Sequence, residues 1–453
     1  MIATLTGVSH EKLIIFHNWT GWAMFVLALV HTFPFIVVHL QQGDMAMQWN
    51  MSIFYWSGVV ALVAQAYLQF MSLSFIRNRF YEFFKATHML AALIFVLFLF
   101  FHCDYTLTSW HYFIAAGVLY TLSFLYSQIR TYSEFGLGLR ATFDMVSDTT
   151  LRITVPARTT WQPTQHMFLR FVALQVHALT SHPFTVCSVP AAAADDDKST
   201  LVFYVQARKG VTGRLAKLAA ARGGYTVPVL LDGPYGGIKG KPLSSYDDNL
   251  IVACGAGAPF SLGLVMDALL LRRAFAAKAE AGVVTLPRVE VLIATRDPQF
   301  VRWYCEALTD FMEANGLPID LQGIRISVFQ TGGSGGNTSR STTAMSMASA
   351  TPENEAGVRE KSAVSDTKVS SSSDRSIGGS KSLQLEIHTG RPEIGATVRK
   401  ATRRPGVSLA VVACGPGGVV EEVQAAAAEA QLRILGSGNG GAREVYLHTE
   451  HFS

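Results

Sequence analysis

Apolar residues are spread unevenly along the 453-residue chain. Residues 13–43, 45–76, 86–103 and 105–129 contain no Asp, Glu, Lys or Arg. Each stretch can supply the roughly 20 residues that carry an α-helix across a bilayer. The pattern predicts four transmembrane helices, at 13–39, 53–75, 86–103 and 109–129, and so a lipid bilayer as partner. Arg77, Arg79 and Lys85 fall between the second and third helices, and Arg130 and Arg140 follow the fourth. The breaks QQGDMAMQWN and CDYTLTS hold no Lys or Arg. The excess of basic residues on one side places both termini in the cytoplasm. The first apolar stretch is too long, and lacks the small-residue cleavage site, for a removable signal peptide.

Beyond residue 130 the period changes. ATFDMVSDTTLRITVP and HMFLRFVAL alternate apolar and polar residues in short runs, which predicts antiparallel strands. From NLIVACGAGAPFSLGLVMDALLLRRAF onward, apolar strands (VEVLIATRD, IRISVFQT, VSLAVVACGPGG) alternate with helical stretches, which predicts a parallel, doubly wound sheet. The fold class is therefore a transmembrane α-helical bundle, an antiparallel β-barrel and an α/β doubly wound domain, over residues 1–132, 133–242 and 243–453. Residues 331–381 are rich in Ser, Thr and Gly and interrupt the last domain; too polar to form a core, they are expected to be a disordered insertion.

Charge and cysteines narrow the class further. A net charge of +4 is too small to argue for nucleic acid as a partner. Cys103, Cys187, Cys254, Cys305 and Cys414 show no paired spacing, so neither a disulfide framework nor a zinc site is indicated. Nothing in the sequence sets an oligomeric state.

The informative polar residues of the apolar half are histidines. His17 and His31 are fourteen residues apart, and so are His88 and His102. Fourteen residues along a helix rise about 21 Å and make nearly four full turns, so each pair leaves one helix face at two depths. The first and third helices run parallel, which sets His17 level with His88 near the cytoplasmic side and His31 level with His102 near the outer side. Polar residues in hydrocarbon are costly and mark function. Imidazoles facing across a bundle suit axial ligation of haem iron, so the four histidines are candidate ligands of two haems. With both axial positions filled, the iron is suited to passing electrons. His39 and His111 fit no such pair and read as interfacial.

The later domains carry weaker signals. SHPFTVCS offers His182, Pro183, Phe184, Thr185 and Ser188: a hydroxyl to reach a flavin nitrogen and an aromatic to cover a ring. RKGVTGRL sets the amides around Gly210, the Thr212 hydroxyl and the Arg214 guanidinium ahead of a helix, a setting for a pyrophosphate. LLDGPYGG reads as a tight turn closing the barrel. CGAGAP gives Gly255, Gly257 and Pro259 after a strand and before a helix, as a dinucleotide phosphate requires, although it is not a full GxGxxG. Cys414, Gly415 and Pro416 form a second turn expected on the same sheet edge. Arg296, at the end of another strand, is the natural partner for the extra phosphate of NADP.

Taken in order, two H-x13-H helices, HPFT, GAGAP and CGP resemble the ferric reductase and NADPH oxidase superfamily of flavocytochromes, and GVSHEKLIIFHNW looks most like its fungal ferric reductase branch. The resemblance covers nearly the whole chain outside 331–381. It implies a ferredoxin-reductase-like module holding FAD and NADPH, and two b-type haems in the membrane, His17 and His88 on the inner one and His31 and His102 on the outer. It assigns HPFT to the flavin, and Gly255, Gly257 and Pro259 to the nicotinamide nucleotide. Cys414, Gly415 and Pro416 fall near the nicotinamide, Gly390, Arg391 and Pro392 match a recurring segment, and Phe452 matches a terminal aromatic that shields the flavin. No side chain is expected to act as a nucleophile. The implied activity is reduction of external ferric or cupric chelates by NADPH at the plasma membrane. Reduction of dioxygen to superoxide, or a haem-free membrane fragment, are the alternatives. Members of that superfamily usually carry at least two further upstream membrane helices, whereas the first predicted haem helix here begins about a dozen residues after Met1.

Overall fold

A computed structural model describes residues 10–172, 181–190, 199–208, 210–280, 285–318, 321, 323–332, 340–341, 385–436 and 441–451. The chain divides into two compact units, Met1–Gly138 with Leu230–Gly236 and Ser453, and Leu139–Val229 with Gly237–Phe452.

The first unit is helical: α1 (His10–Gln42), α2 (Met45–Met51), α3 (Ile53–Met71), α4 (Ser74–Arg79), α5 (Tyr81–Cys103) and α6 (Ser109–Glu134). α1, α3, α5 and α6 are each long and apolar enough to cross a membrane. Large side chains such as Phe16, Leu27, Leu93 and Ile129 are exposed around them. Apolar surface on this scale fits a hydrocarbon solvent, where the helix satisfies its own backbone. α3 and α5 are the most closely packed helices of this unit. The second helix stops at Met71, short of the expected residue 75, because Leu73 leaves the helical region (φ −56°, ψ 135°) and the chain starts α4. α6 runs on to Glu134 because its polar last turn continues the backbone ladder without an apolar signal.

The second unit begins with β1 (Arg140–Met145), β2 (Thr150–Pro156), β3 (Gln165–Phe171), β4 (His182–Thr185), β5 (Thr200–Gln206), α7 (Val211–Ala221) and the start of β6 (Tyr225–Gly236), whose residues from Leu230 belong to the first unit. The six strands form one sheet in the order β4-β3-β6-β1-β2-β5. Leu151, Ile153, Val155, Met167, Leu169, Leu201 and Phe203 alternate along their strands and are fully buried, which fixes the register. LLDGPYGG is not the expected turn: Leu230 to Gly236 continue β6, and the chain turns only at Gly236 and Gly237, both with positive φ. The inward alternation Val227, Val229, Leu231 carries the strand through the Gly-Pro pair.

The parallel sheet contains β7 (Asp248–Cys254), β8 (Arg288–Thr295), β9 (Ile324–Gln330), β10 (Arg340–Ser341), β11 (Glu386–Thr389), β12 (Ser408–Gly415) and β13 (Glu444–His451). Its order is β10-β11-β9-β8-β7-β12-β13, parallel apart from the β10–β11 pairing. α8 (Phe260–Glu280) and α9 (Phe300–Ala314) pack on one face; α10 (Ile394–Thr402) and α11 (Gly417–Leu435) cover the other. β7 and β12 are buried along their whole length, as continuous apolar strands require. α8 meets the length and apolarity of a membrane span, yet most of it is buried against the sheet. Within 331–381, four residues are described: Thr331, Gly332, Arg340 and Ser341. The Thr331 amide donates to the Thr295 carbonyl (2.8 Å), Gly332 follows it, and Arg340 and Ser341 pair with His388 and Ile387. The rest of that span lies outside the described residues, as does Phe452.

Candidate functional site

In the helical unit the structure brings the four histidines together in two pairs. The ring centroids of His17 and His88 are 6.4 Å apart, and those of His31 and His102 are 6.1 Å apart, with interplanar angles of 72° and 76°. Phe84 lies 5.1 Å from His88, and Phe35 lies 5.0 Å from His31. His102 Nδ1 donates to the Phe54 carbonyl at 2.7 Å, which leaves its Nε2 lone pair free for a metal. His88 Nδ1 has a longer contact, 3.4 Å, with the Ser72 hydroxyl. Gly58 makes the approach of His102 possible: a Cβ there would lie 2.5 Å from Nδ1.

These pairs fit haem iron. The ring centroids of each pair lie 6.1–6.4 Å apart, close enough for the two imidazoles to share one metal centre. Among the described residues there is no cluster of three or more His, Cys, Asp or Glu. Two imidazoles cannot complete a metal's coordination, whereas a macrocycle that brings four nitrogens needs only two axial donors. His39 belongs elsewhere, with Nδ1 2.8 Å from Asp44 Oδ1. Hydrogen bonds from Gln48 and His39 hold the Asp44 carboxyl below its usual range. His111 Nε2 sits 3.5 Å from the Tyr105 hydroxyl.

In the second unit, the carboxyl edge of the parallel sheet gathers the nucleotide candidates. Strand order reverses between β7 and β12, and open α/β sheets bind ligands at such a switch point. β7 ends at Cys254 and leads into Gly255, whose φ is +62°, then Gly257 and the buried Pro259 before α8. β12 ends at Cys414 and Gly415, and Pro416 precedes α11. The two turns touch: a Cβ on Gly257 would lie 2.7 Å from Cys414 Sγ and 3.0 Å from its carbonyl oxygen. Burial pushes the Cys254 thiol up to about 11, so it remains protonated and serves as packing. Arg296 is exposed just past β8 on the same edge, and Gly390, Arg391 and Pro392 follow β11.

His182 to Thr185 form edge strand β4. Phe184 and His182 pair with the buried Met167 and Leu169; Pro183 and Thr185 pair with Phe168 and His166 on the opposite face. Opposed residues share a face, so Thr185 stands beside an aromatic pair, His166 and Phe168, 5.6 Å apart. Ser188 is occupied elsewhere: its hydroxyl donates to the Thr200 carbonyl (2.9 Å) and accepts from the Val202 amide (3.1 Å). Gly210 caps α7 with φ +80°, the Thr212 hydroxyl accepts from the Arg208 amide (3.0 Å), and Arg214 is exposed on the first turn.

Three features escaped the sequence reading: Gly58, the Phe54 carbonyl, and the His166–Phe168 pair. Ser57, Ala61 and Ala64 are buried on α3 at helical spacing, so the small-residue stripe that includes Gly58 was a usable signal. The Phe54 carbonyl and the outward face of β3 left none.

Family models match the chain in the same order. Residues 1–99 match the ferric reductase like transmembrane component, 138–239 an FAD-binding domain, and 246–428 the ferric reductase NAD binding domain. A probable cell surface ferric reductase kap2 of Aspergillus oryzae is 27% identical over 68% of this chain and 42% of its own length. Ferric reductase transmembrane component 3 of Saccharomyces cerevisiae is 26% identical over 93% of this chain and 54% of its own length. Ferric/cupric reductase transmembrane component 2 of the same yeast is also 26% identical, with the same 93% and 54% coverage. The chain spans about half the length of the curated relatives it matches. With a ferric reductase transmembrane component, an FAD-binding domain and an NAD-binding domain in one chain, the protein belongs to the ferric reductase superfamily of flavocytochromes.

Proposed function

We propose that the protein is an NADPH-dependent ferric-chelate reductase of the plasma membrane, carrying electrons from cytosolic NADPH through FAD and two b-type haems to an external ferric or cupric chelate. The observation that carries this reading is the pair of facing histidines at two levels of one helical bundle, in a chain that also has FAD- and NAD-binding domains. Haem held by these histidines would supply one-electron transfer, the chemistry the cofactor brings when bound.

The chain's own residues supply position. His17 and His88 hold one haem and His31 and His102 the other, with the Phe54 carbonyl fixing the His102 tautomer. Thr185 and the aromatic face beside it receive the flavin, and the α7 N-terminus with Arg214 receives its pyrophosphate. The touching Gly257 and Cys414 turns cradle the nicotinamide nucleotide, and Arg296 binds its extra phosphate. The basic residues Arg77, Arg79, Lys85 and Arg130 support a cytoplasmic location for the nucleotide side.

The test is a reduced-minus-oxidised absorption spectrum of detergent-purified full chain, with haem and flavin quantified. The reading expects two b-type haems and one flavin per chain, all reduced by NADPH. Purified protein that binds flavin but no haem would overturn it.

A further inference from the structure

Asp297 follows Arg296 at the carboxyl end of β8 and is 9% exposed. Its Oδ2 accepts hydrogen bonds from Ser147 Oγ (2.6 Å), Thr150 Oγ1 (2.9 Å) and Trp303 Nε1 (3.3 Å). Its Oδ1 accepts from the Gln299 amide (2.9 Å). Ser147, in the turn between β1 and β2, and Thr150, the first residue of β2, are themselves buried in the flavin-binding sheet; Gln299 and Trp303 open α9 of the nucleotide domain. One carboxylate thus ties two domains together. Tyr204 of β5 strengthens the seam by stacking on Trp303, with centroids 4.7 Å apart and planes at 15°. Burial pushes the Asp297 carboxyl up, but hydrogen bonds from Ser147, Gln299, Thr150 and Trp303 outweigh it and hold the group below its ordinary 3.8.

Burying a carboxylate is costly, and an apolar contact would hold two domains together without that cost. What directed hydrogen bonds add is a fixed geometry. Hydride transfer demands such a geometry, with reacting atoms about 3–3.5 Å apart. We propose that Asp297 is a positioning residue that latches the flavin-binding sheet to the carboxyl edge of the nucleotide sheet and so sets the approach of nicotinamide to flavin. This rests on the reading of the protein as an NADPH-dependent flavoprotein.

A bond from Oδ1 to Gln299 would exist even if Asp297 only capped α9, so the two roles must be separated. The double variant Ser147→Ala, Thr150→Val removes the crossing bonds and leaves those to α9. It is compared with Asp297→Asn in full-length protein, by single-turnover reduction of the flavin with NADPH, by the KM for NADPH, and by hydrogen exchange of the 146–150 amides without nucleotide. Both variants should reduce flavin at least about tenfold more slowly with KM unchanged, and amides 146–150 should exchange at least about tenfold faster. A double variant with wild-type hydride transfer and wild-type exchange would overturn the latch. If Asp297→Asn does not fold, the double variant decides alone. Wild-type protein whose flavin ignores NADPH would sink the functional reading instead, and the exchange rates would still judge the latch.

Discussion

Gly58 in the helical unit and Gly257 in the nucleotide sheet each make way for a neighbour, in unlike surroundings. A Cβ on Gly58 would lie 2.5 Å and 2.6 Å from two atoms of the His102 ring; one on Gly257 would lie 2.7 Å from Cys414 Sγ and 3.0–3.1 Å from the Cys414 backbone. His102 is half-exposed, and its ring can swing about two side-chain torsions. Cys414 is fully buried in the middle layer of a closely packed domain, and its carbonyl belongs to β12. Interiors at crystal-like density have nowhere to send an extra methyl. The same close approach therefore sets a histidine ring's direction in the bundle and the packing itself at the sheet edge.

The largest effect that would sharpen this contrast is expected from His88→Ala. On the proposed assignment, in which His88 is a haem ligand, external chelate reduction should vanish while NADPH still reduces the flavin. A purified His88→Ala protein that keeps two haems would break the assignment. Gly58→Ala should act next most strongly, by turning the His102 ring away from its partner and from the Phe54 carbonyl. Haem content should fall from two to one per chain, with thermal unfolding of the flavin-binding unit unchanged. Two haems retained in this variant would mean that the ring adjusts without cost.

Gly257→Ala should reverse the pattern. Overpacking against Cys414 should cost about 2 kcal/mol and weaken nucleotide binding, while both haems remain. The measurement is thermal unfolding followed separately through flavin fluorescence and haem absorbance. A shift confined to the haem signal would contradict the contrast drawn between the two glycines.

The unequal legibility of these sites has physical causes. The pairing of His17 with His88 and of His31 with His102 could be read because helical geometry converts a spacing of fourteen into a direction and a depth. The intervening helix was harder: α3 is apolar on all sides, so periodicity does not say which face meets α5, and only the small-residue stripe hints at it. GAGAP and CGP could each be read as a turn after a strand. Their contact could not, because it depends on β7 lying beside β12, and strand order is not written in either motif. In LLDGPYGG, Gly and Pro suggest a turn, yet a buried alternation runs through them and keeps the strand extended. The Ser188 hydroxyl bonds the backbone of β5 at Thr200 and Val202, pairings that the HPFT segment does not encode.

Arg296→Ala should have the smallest effect of the four and the most selective. The guanidinium is exposed at the end of β8, so its removal leaves no cavity and no buried orphan. Its neighbour Asp297 already has its hydrogen bonds from Ser147, Thr150, Gln299 and Trp303, and none of them involves Arg296. In its proposed role Arg296 makes a charge-assisted contact to the extra phosphate that distinguishes NADPH from NADH, and its loss should cost about tenfold in relative kcat/KM at an exposed site. NADH makes no such contact, so its kcat/KM should hold. Equal losses with both nucleotides would mean that Arg296 supports the sheet edge and that some other cation reads the phosphate; no change with either would leave Arg296 a solvated surface charge.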